Sequence, residues 1–597
     1  MDKPQSTRRR KARRRVMVLL VLCCAVFALF LARLAWLQFA MADHYAQKMA
    51  EAGSANYTLP QHAARGAITD RSGTVLAQDE TVYDVYLRVP APPGTNLRET
   101  VNTIAALTGG KDVETQLAAF CSAVSAGELP VTQELDSIGA AAYYHAGLVQ
   151  SGAVRLAARG VRRWPNGTIL PHTLGFTGPI TAEQWPAARA QGLAMDATIG
   201  QNGLEAAYDT LLRGRDGQLQ INVGLDGVTR EAVQTSTSVP GCTLVLTLDA
   251  DLQKTLQTAL QNQMDTLRTT KGIGAGREVR AGAAVVVDVR TGGILAAASL
   301  PDFDLSRYRS DYAALSADSA APLLDRVCQG LYAPGSAFKP AVAAAALTVG
   351  IDPAATVNCT GKYFYYSNYH PGCLQYGHRG PVDLRTALEY SCNIFFYDTG
   401  RRLGVDTFSA MARQLGLAND TGVEITAAQG RLTWSTDTNY QDGLTLMAAI
   451  GQGNTAVTPL QLAQYAAALA NYGRKPTLHF ADRAVQPATG AAVWQYEPAF
   501  TEIPGGEAVF GPIRDGMKRM AQTARALREA PVTVAAKTGS PQLADTLPGG
   551  SHYVNSVLIG YAPADDPQIA MAVVLEYGGG GANAAPVMRA VLDAWFE

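Results

Sequence analysis

The chain has almost no net charge and few cysteines for its length. Its 597 residues carry 50 basic and 51 acidic side chains, a formal net charge of −1, which gives no electrostatic reason to expect a nucleic-acid ligand. The sequence contains no phosphate-cradling glycine-rich loop and no paired Cys-x-x-Cys motif. Hydrophobic residues make up 47% of the chain, which excludes general disorder. The length predicts two or more domains.

Charge is concentrated at the N-terminus. Seven of the eight residues 8–15 are Arg or Lys, and an apolar run follows over residues 16–32 and resumes after Arg33 to residue 41. As a helix, residues 16–41 would reach about 39 Å, enough to cross a hydrocarbon core of about 30 Å. We therefore predict a basic cytoplasmic tail over residues 1–15 and a transmembrane anchor over residues 16–41, with the rest of the chain outside the cell. The alternative is a cleaved signal peptide ending at Ala-Met-Ala, residues 40–42.

Six of the eight cysteines lie beyond the anchor. An oxidising compartment permits a disulfide, and we favour a pair between Cys359 and Cys373, which bracket the aromatic stretch 362–371. His370 and His378 stand eight residues apart in a predicted loop, with no further ligand evident from the sequence. We therefore expect neither a metal site nor another cofactor.

Three short motifs follow one another in a fixed order. Residues 336–339 read Ser-Ala-Phe-Lys, residues 391–393 read Ser-Cys-Asn, and residues 537–540 read Lys-Thr-Gly-Ser. A serine hydroxyl is a weak nucleophile unless a base removes its proton, and a lysine can be that base when burial lowers its pKa. A Pro-Gly turn followed by an alanine-rich run predicts a helix that places Ser336 and Lys339 on one face.

The surroundings of these motifs supply the other parts of an acyl-serine site. The start of the predicted helix turns backbone N–H groups toward any oxyanion formed at Ser336. Residues 532–540 predict a strand, in which Gly539 leaves room for a substrate backbone. Lys537 and Thr538 offer a cation and a hydroxyl to a substrate carboxylate.

Ser-x-x-Lys, Ser-x-Asn and Lys-Thr-Gly in this order resemble the signature of penicillin-binding proteins and serine β-lactamases. The spacings of 55 residues (391 − 336) and 146 residues (537 − 391) resemble those of a transpeptidase domain. The resemblance implies an α+β fold, an antiparallel sheet flanked by helices. A predicted hairpin over 283–299, strands over 553–563 and 567–576, and a final helix over 585–596 favour the same architecture.

Upstream segments resemble the non-catalytic module of class B penicillin-binding proteins: residues 65–77, 163–167, 172–178 and 203–217. We predict a β-rich pedestal of the dimerisation type over residues 42–240 and a transpeptidase domain over residues 241–597. The charges of Asp70, Arg71, Glu205 and Arg213 are expected to hold loops in register and not to catalyse. Residues 377–384 and 559–570 resemble the elongation subtype of this class more than the others, and roles in division or sporulation stay open.

The family resemblance also implies a role for each motif residue. Ser336 would attack the carbonyl between the two terminal D-alanines of a peptidoglycan stem peptide, and Lys339 would take its proton. Ser391 would pass a proton to the departing D-alanine, and Asn393 would orient Lys339. We assign the chemistry and the substrate contacts as follows: catalytic, Ser336, Lys339, Ser391, Asn393 and Lys537; substrate-binding, Thr538, Gly539 and Ser540.

The resemblance implies partners as well. These are stem peptides of nascent peptidoglycan, β-lactams as covalent inhibitors of Ser336, and a polytopic membrane protein that polymerises glycan. Two alternatives share the nucleophile: a membrane-anchored serine β-lactamase, and a β-lactam sensor or non-catalytic scaffold. No signature of a deacylating glutamate follows the Ser-x-Asn motif, and a complete set of catalytic side chains argues against a silent scaffold.

Overall fold

A computed structural model describes residues 5–42, 44, 54–110, 112–123, 127–224, 229–373, 378–548 and 550–597. The chain divides into two compact units. The first comprises Met1–Ala63 with Arg215–Val239, and the second comprises Ala64–Gly214 with Pro240–Glu597.

The first unit contains the predicted anchor. An α-helix spans Gln5–Ala35 and continues as a π-helix over Trp36–Ala40. Among the described residues, Arg13–Ala40 is the one helical segment long and apolar enough to cross a membrane. Strands Ser54–Gln61, Gly217–Gly224 and Thr229–Ser236 form an antiparallel sheet in that order.

The N-terminal part of the second unit is rich in strands, as the sequence predicted for the pedestal. Its strands join a seven-stranded sheet that also includes three strands from later in the chain. The order is Ala492–Gln495, Ala481–Val485, Thr243–Leu246, Ile68–Thr69, Val75–Val89 and Gly127–Leu135, with Val154–Arg163 also paired to Val75–Val89. Helices cover this sheet or connect its strands: Leu97–Leu107, Val113–Ala123, Ser137–His145, Pro171–Leu174, Trp185–Ala190, Gly203–Ala207 and Asp209–Leu212. Thr177–Pro179 and Thr198–Gly200 form a two-stranded ribbon.

Buried charges hold the pedestal loops together, as expected from the sequence. Glu205 is fully buried and accepts hydrogen bonds from Arg65 Nε at 2.6 Å and Arg162 Nε at 2.6 Å. Asp70 accepts hydrogen bonds from the backbone N–H groups of Thr74 and Ala250. A buried carboxylate is stable only when it is paired in this way.

A five-stranded antiparallel sheet forms the centre of the catalytic half, in the order Ile294–Leu300, Gly282–Asp288, Ile569–Leu575, Ser556–Ala562, Ala535–Gly539. The strands are apolar on both faces because helices cover both. Val285 and Val287 join the core that contains Pro459–Ala470, whereas Val286 joins the core that contains Ala585–Phe596. The predicted hairpin, strand pair and final helix are confirmed, and with them the α+β fold.

The remaining elements surround this sheet. The helices are Ala250–Arg268, Leu305–Arg307, Tyr308–Ala317, Gly335–Phe338, Lys339–Thr348, Leu384–Glu389, Asn393–Leu403, Val405–Gln414, Asp442–Ala449, Gly506–Thr523, Arg525–Arg528 and Gly581–Ala584. Three ribbons pair Val357–Cys359 with Gly380–Val382, Arg474–Pro476 with Phe500–Glu502, and Gln542–Thr546 with His552–Val554.

Candidate active site

The nucleophile turn lies against the edge strand of the central sheet. Ser336 sits in a 3-10 turn over Gly335–Phe338 that continues as the helix Lys339–Thr348, so the predicted helix is confirmed with a tighter first turn. A Cβ atom on Gly539 would lie 2.2 Å from the carbonyl oxygen of Pro334. Only glycine at this position allows the strand to approach the turn so closely, which brings the Lys-Thr-Gly motif beside Ser336.

Lys339 links the first two motifs. Its side chain is fully buried, and Nζ donates hydrogen bonds to the carbonyl oxygen of Ser391 at 2.8 Å, to Ser391 Oγ at 3.1 Å and to Asn393 Oδ1 at 2.7 Å. Ser391 has φ of +55°, a left-handed conformation that is strained for a side-chain-bearing residue. Such strain persists where the surrounding contacts fix it, and here Lys339 bonds both the carbonyl and the hydroxyl of Ser391.

Lys537 joins the third motif to the other two. Its Nζ donates to Ser391 Oγ at 3.0 Å and to the carbonyl oxygen of Thr538 at 3.0 Å. Ser391 Oγ therefore accepts from two lysines, which occupies both of its lone pairs. Its own O–H proton is left to point elsewhere, and Ser391 is partly exposed.

Burial changes the pKa of both lysines. Loss of solvent lowers the pKa of Lys339 from 10.5 to about 7, and negative charge on the sulfurs of Cys392 and Cys373 acts in the opposite direction. The pKa of Lys537 falls well below its usual value, mainly through burial and also through repulsion from Lys339. A lysine with a pKa near 7 exists substantially as the neutral amine at physiological pH, which is the form a general base requires.

The predicted substrate-binding residues of the third motif differ in how far they are exposed. Gly539 is buried beside the nucleophile turn, and Ser540 is exposed, with its Oγ accepting a hydrogen bond from Gly581 N–H at 2.8 Å. Thr538 is partly exposed, and its hydroxyl lies 3.9 Å from Met520 Sδ. The three motifs thus converge, while the role of Thr538 toward a carboxylate stays a prediction.

The predicted disulfide between Cys359 and Cys373 is wrong. Neither residue is disulfide-bonded. Both instead belong to a buried group with His378 and Cys392, whose ligand atoms all lie within 4.8 Å of one another. The expectation that His378 lacks further ligands is therefore also wrong, because residues from three separate segments meet at this point only after folding.

The donor set of this Cys/His cluster fits a metal ion. Three thiols and one imidazole are the ligands of a tetrahedral structural zinc site. His378 Nε2 contacts Cys373 Sγ at 3.6 Å, whereas its buried Nδ1 has no hydrogen-bond partner among the described residues. Cys392 is the middle residue of the Ser-x-Asn motif, so the cluster adjoins the catalytic residues. Three cysteines and a histidine within residues 359–392 were the sequence signal for it.

Comparison with known proteins identifies the family. Residues 282–593 match the penicillin-binding protein transpeptidase domain, and residues 60–246 match the penicillin-binding protein dimerisation domain. The chain belongs to the penicillin-binding transpeptidase family. Its pedestal and transpeptidase modules make it a class B member, and it is a peptidoglycan D,D-transpeptidase, a serine-type acyltransferase of cell-wall synthesis.

Individual relatives agree with this assignment. Peptidoglycan D,D-transpeptidase MrdA of Acinetobacter baumannii is 29% identical over 564 residues, covering 90% of this chain and 81% of the relative. MrdA of Escherichia coli K12 is 26% identical over 579 residues, covering 90% and 87%. A solved chain from a peptidoglycan synthase complex that coordinates polymerization and crosslinking aligns with a TM-score of 0.74, 28% identity and 98% coverage of both chains. Helicobacter pylori PBP2 in complex with MreC shares the fold, with a TM-score of 0.72 at 23% identity, covering 91% and 99%.

Proposed function

We propose that Ser336 is the nucleophile of this enzyme and Lys339 its general base. The observation that supports this most directly is the convergence of two buried lysines, Lys339 and Lys537, with the partly exposed Ser391 and Asn393 in one hydrogen-bond network beside the Ser336 turn. Charged Lys339 uses three donors on Ser391 and Asn393. The neutral amine has two N–H groups and one lone pair, so deprotonation frees that lone pair to accept the proton of Ser336.

Ser391 and Asn393 complete the proton path. Because Ser391 Oγ accepts from both lysines, its O–H can donate to the amide nitrogen of the departing D-alanine and be reprotonated from Lys339. Asn393 Oδ1 fixes the direction of the Lys339 amine. Loss of Ser391 should therefore slow departure of the leaving group, and loss of Asn393 should misdirect the base.

The edge strand binds the substrate in this proposal. Backbone N–H groups of Ser336 and Ser540 hold the oxyanion of the tetrahedral intermediate, a type of contact worth about 3 kcal/mol of barrier per donor. Lys537, Thr538 and the space at Gly539 receive the terminal carboxylate and the peptide backbone. Burial disfavours the charged form of Lys537, and an arriving carboxylate favours it again, so binding and charge on Lys537 are coupled.

The catalytic cycle follows from these placements. Ser336 Oγ forms an ester with the penultimate D-alanine as the bond to the terminal D-alanine breaks. An amine from a neighbouring stem peptide then attacks that ester, releases Ser336 and forms the cross-link. β-Lactams mimic the D-alanyl-D-alanine end and leave a slowly hydrolysed acyl group on Ser336.

The domain boundaries and the membrane topology are also part of this proposal. The basic residues at 8–15 precede the anchor proposed over residues 16–41 and keep the N-terminus in the cytoplasm, with the pedestal (42–240) and the transpeptidase domain (241–597) outside. The relatives named MrdA and the similar chain from a synthase complex support an elongation-type role with a polytopic glycan polymerase as partner. Contact with that partner would run through the anchor and pedestal.

The Cys/His cluster is proposed to hold a structural divalent metal, with zinc fitting its donors best. Cys359, Cys373, His378 and Cys392 would be the ligands. A bound zinc would supply cross-linking of the fold between three chain segments. It would take no part in acyl transfer, whose groups are Ser336 and the lysine network.

Intact-mass spectrometry tests the assignment of Ser336. The full-length protein in detergent is mixed with benzylpenicillin and followed for hours, beside the Ser336→Ala variant. A persistent adduct on the wild type and none on Ser336→Ala supports the proposal. An adduct on both proteins places the nucleophile elsewhere, and rapid loss of the adduct with drug turnover indicates a β-lactamase instead.

A further inference from the structure

Residues 361–373 form a short closed hairpin rich in aromatic side chains, called here the aromatic hairpin. Its base is closed by a β-bridge between Lys362 and Gly372 and by a hydrogen bond from the Cys373 N–H to the Gly361 carbonyl at 2.9 Å. Between these positions the chain carries five aromatic rings, namely Tyr363, Phe364, Tyr365, Tyr366 and Tyr369.

The aromatic hairpin is anchored on the helix that begins at Asn393. Tyr363 is buried, and its hydroxyl donates to Asp398 Oδ1 at 3.0 Å and accepts from Arg401 Nε at 2.9 Å. Asn393 Nδ2 donates to the Gly372 carbonyl oxygen at 3.2 Å. The same Asn393 side chain holds Lys339 through its oxygen, so the hairpin is continuous with the catalytic network.

Phe364, Tyr365 and Tyr369 are exposed, whereas Tyr366 is half-buried against the core. Phe364 is 63% exposed and Tyr365 is 58% exposed. The Arg401 guanidinium lies 3.9 Å from the centre of the Tyr365 ring. The Tyr366 ring packs edge-on against the Tyr365 ring, with 5.1 Å between the ring centres. The Phe364 ring lies 5.0 Å from that of His370. Exposed aromatic rings that are already ordered form a ready-made binding surface, because little side-chain entropy is lost when a ligand arrives.

The mixture of aromatic and polar groups on this surface indicates which class of ligand it would bind. Ring faces alternate with tyrosine hydroxyls and with the polar side chains of Ser367, Asn368 and His370, all three exposed. Sugar rings present apolar C–H faces and many hydroxyls, so they match a surface of this kind. An apolar helix or a lipid surface would leave these polar groups without partners.

We propose that the aromatic hairpin is a subsite for the sugar rings of the glycan strand that carries the stem peptide. The inference rests on the function proposed above, since a stem peptide held at Ser336 is only a few residues long and is attached at its other end to the sugar chain. Phe364 and Tyr365 stack on the sugar rings. The hydrogen bond between Asn393 and Gly372 fixes the hairpin relative to the catalytic lysine, which aligns the glycan with the reacting peptide.

The test measures binding of a peptide-free glycan tetrasaccharide to the full-length protein in detergent by isothermal titration calorimetry. Three variants are compared with the wild type. Phe364→Ala/Tyr365→Ala removes both ring faces, and Phe364→Tyr/Tyr365→Phe keeps them. Tyr144→Ala removes a ring on the pedestal helix Ser137–His145 that is 50% exposed. We expect the Kd to rise at least about tenfold for the double alanine variant alone, with its thermal midpoint near that of the wild type.

Several results would overturn the proposal. They are failure of the wild type to bind the tetrasaccharide, unchanged affinity in the double alanine variant, or an equal loss in Tyr144→Ala. A surface for a protein partner would show as unchanged glycan affinity. Failure of the Ser336 assignment is a separate result, because it shows as a missing penicillin adduct on the wild type whatever the glycan affinity.

Discussion

The pH dependence of acylation follows from the burial of Lys339. Its pKa of about 7 means that about half of the enzyme holds the neutral base at pH 7, whereas a lysine at its ordinary pKa of 10.5 would hold about one part in 3,000. The neutral amine is the active form, so the rate rises with pH. We expect a slope of about tenfold per unit below pH 6, a midpoint near 7 and a plateau above 8, with the rate at pH 5 about 1% of the plateau.

The assay is the second-order rate of acylation by a fluorescent penicillin between pH 5 and 9, read by in-gel fluorescence at short times. Circular dichroism at each pH verifies that the fold is unchanged. Lys339→Arg, which remains charged throughout this range, should lose the activity at every pH. A rate independent of pH between 5 and 8, or a midpoint near 10, would refute Lys339 as a buried neutral base.

Three further outcomes follow from the contacts described. Gly539→Ala places a Cβ atom 2.2 Å from the Pro334 carbonyl and should abolish penicillin acylation, whereas Gly580→Ala, with open space around its Cβ, should acylate normally. Elemental analysis of the purified protein should find about one zinc per chain. The His378→Ala variant should lose this zinc, and the control variant His552→Ala, changed at an exposed residue, should keep it. Equal zinc content in the two variants would contradict the cluster assignment. Glu205→Gln should lower the free energy of unfolding by about 1.5–3 kcal/mol in a denaturant titration, because the buried Arg65 and Arg162 each lose one of their two carboxylate partners and keep the other. Glu80→Gln at the surface should change it by less than about 1 kcal/mol.

The motifs were readable from the sequence because their chemistry is local. Ser336 and Lys339 are joined by one helical turn, and the strand around Gly539 shows in its alternation. The final helix Ala585–Phe596 begins and ends at the residues predicted, because its apolar periodicity and proline near the start are local signals. What the sequence could not give was the sharing of Ser391 Oγ by two lysines, which depends on segments 146 residues apart.

The Cys/His cluster could not be predicted from the spacing of its residues in the sequence. Cys359 and Cys373 bracket a loop, which favours a disulfide when only spacing is considered. Cys392 is fully buried, and its position in the chain gave no sign that it contacts the other two cysteines. Whether three thiols form a disulfide or a metal site depends on the fourth group, His378, whose approach is a tertiary event. The parallel pairing of Thr243–Leu246 with Ile68–Thr69 was also not predictable, because it joins strands that are far apart in the sequence.

The transpeptidase mechanism is tested most directly by the fate of the acyl-enzyme made from a stem-peptide substrate. A pentapeptide ending in D-alanyl-D-alanine is mixed with the full-length enzyme, and intact mass is followed with and without an acceptor amine peptide. We expect a peptide adduct that lacks one D-alanine and maps by proteolysis to Ser336. It should disappear faster with the acceptor, as cross-linked product forms. An adduct on another residue, or one lost to water at the same rate with or without the acceptor, would contradict this mechanism.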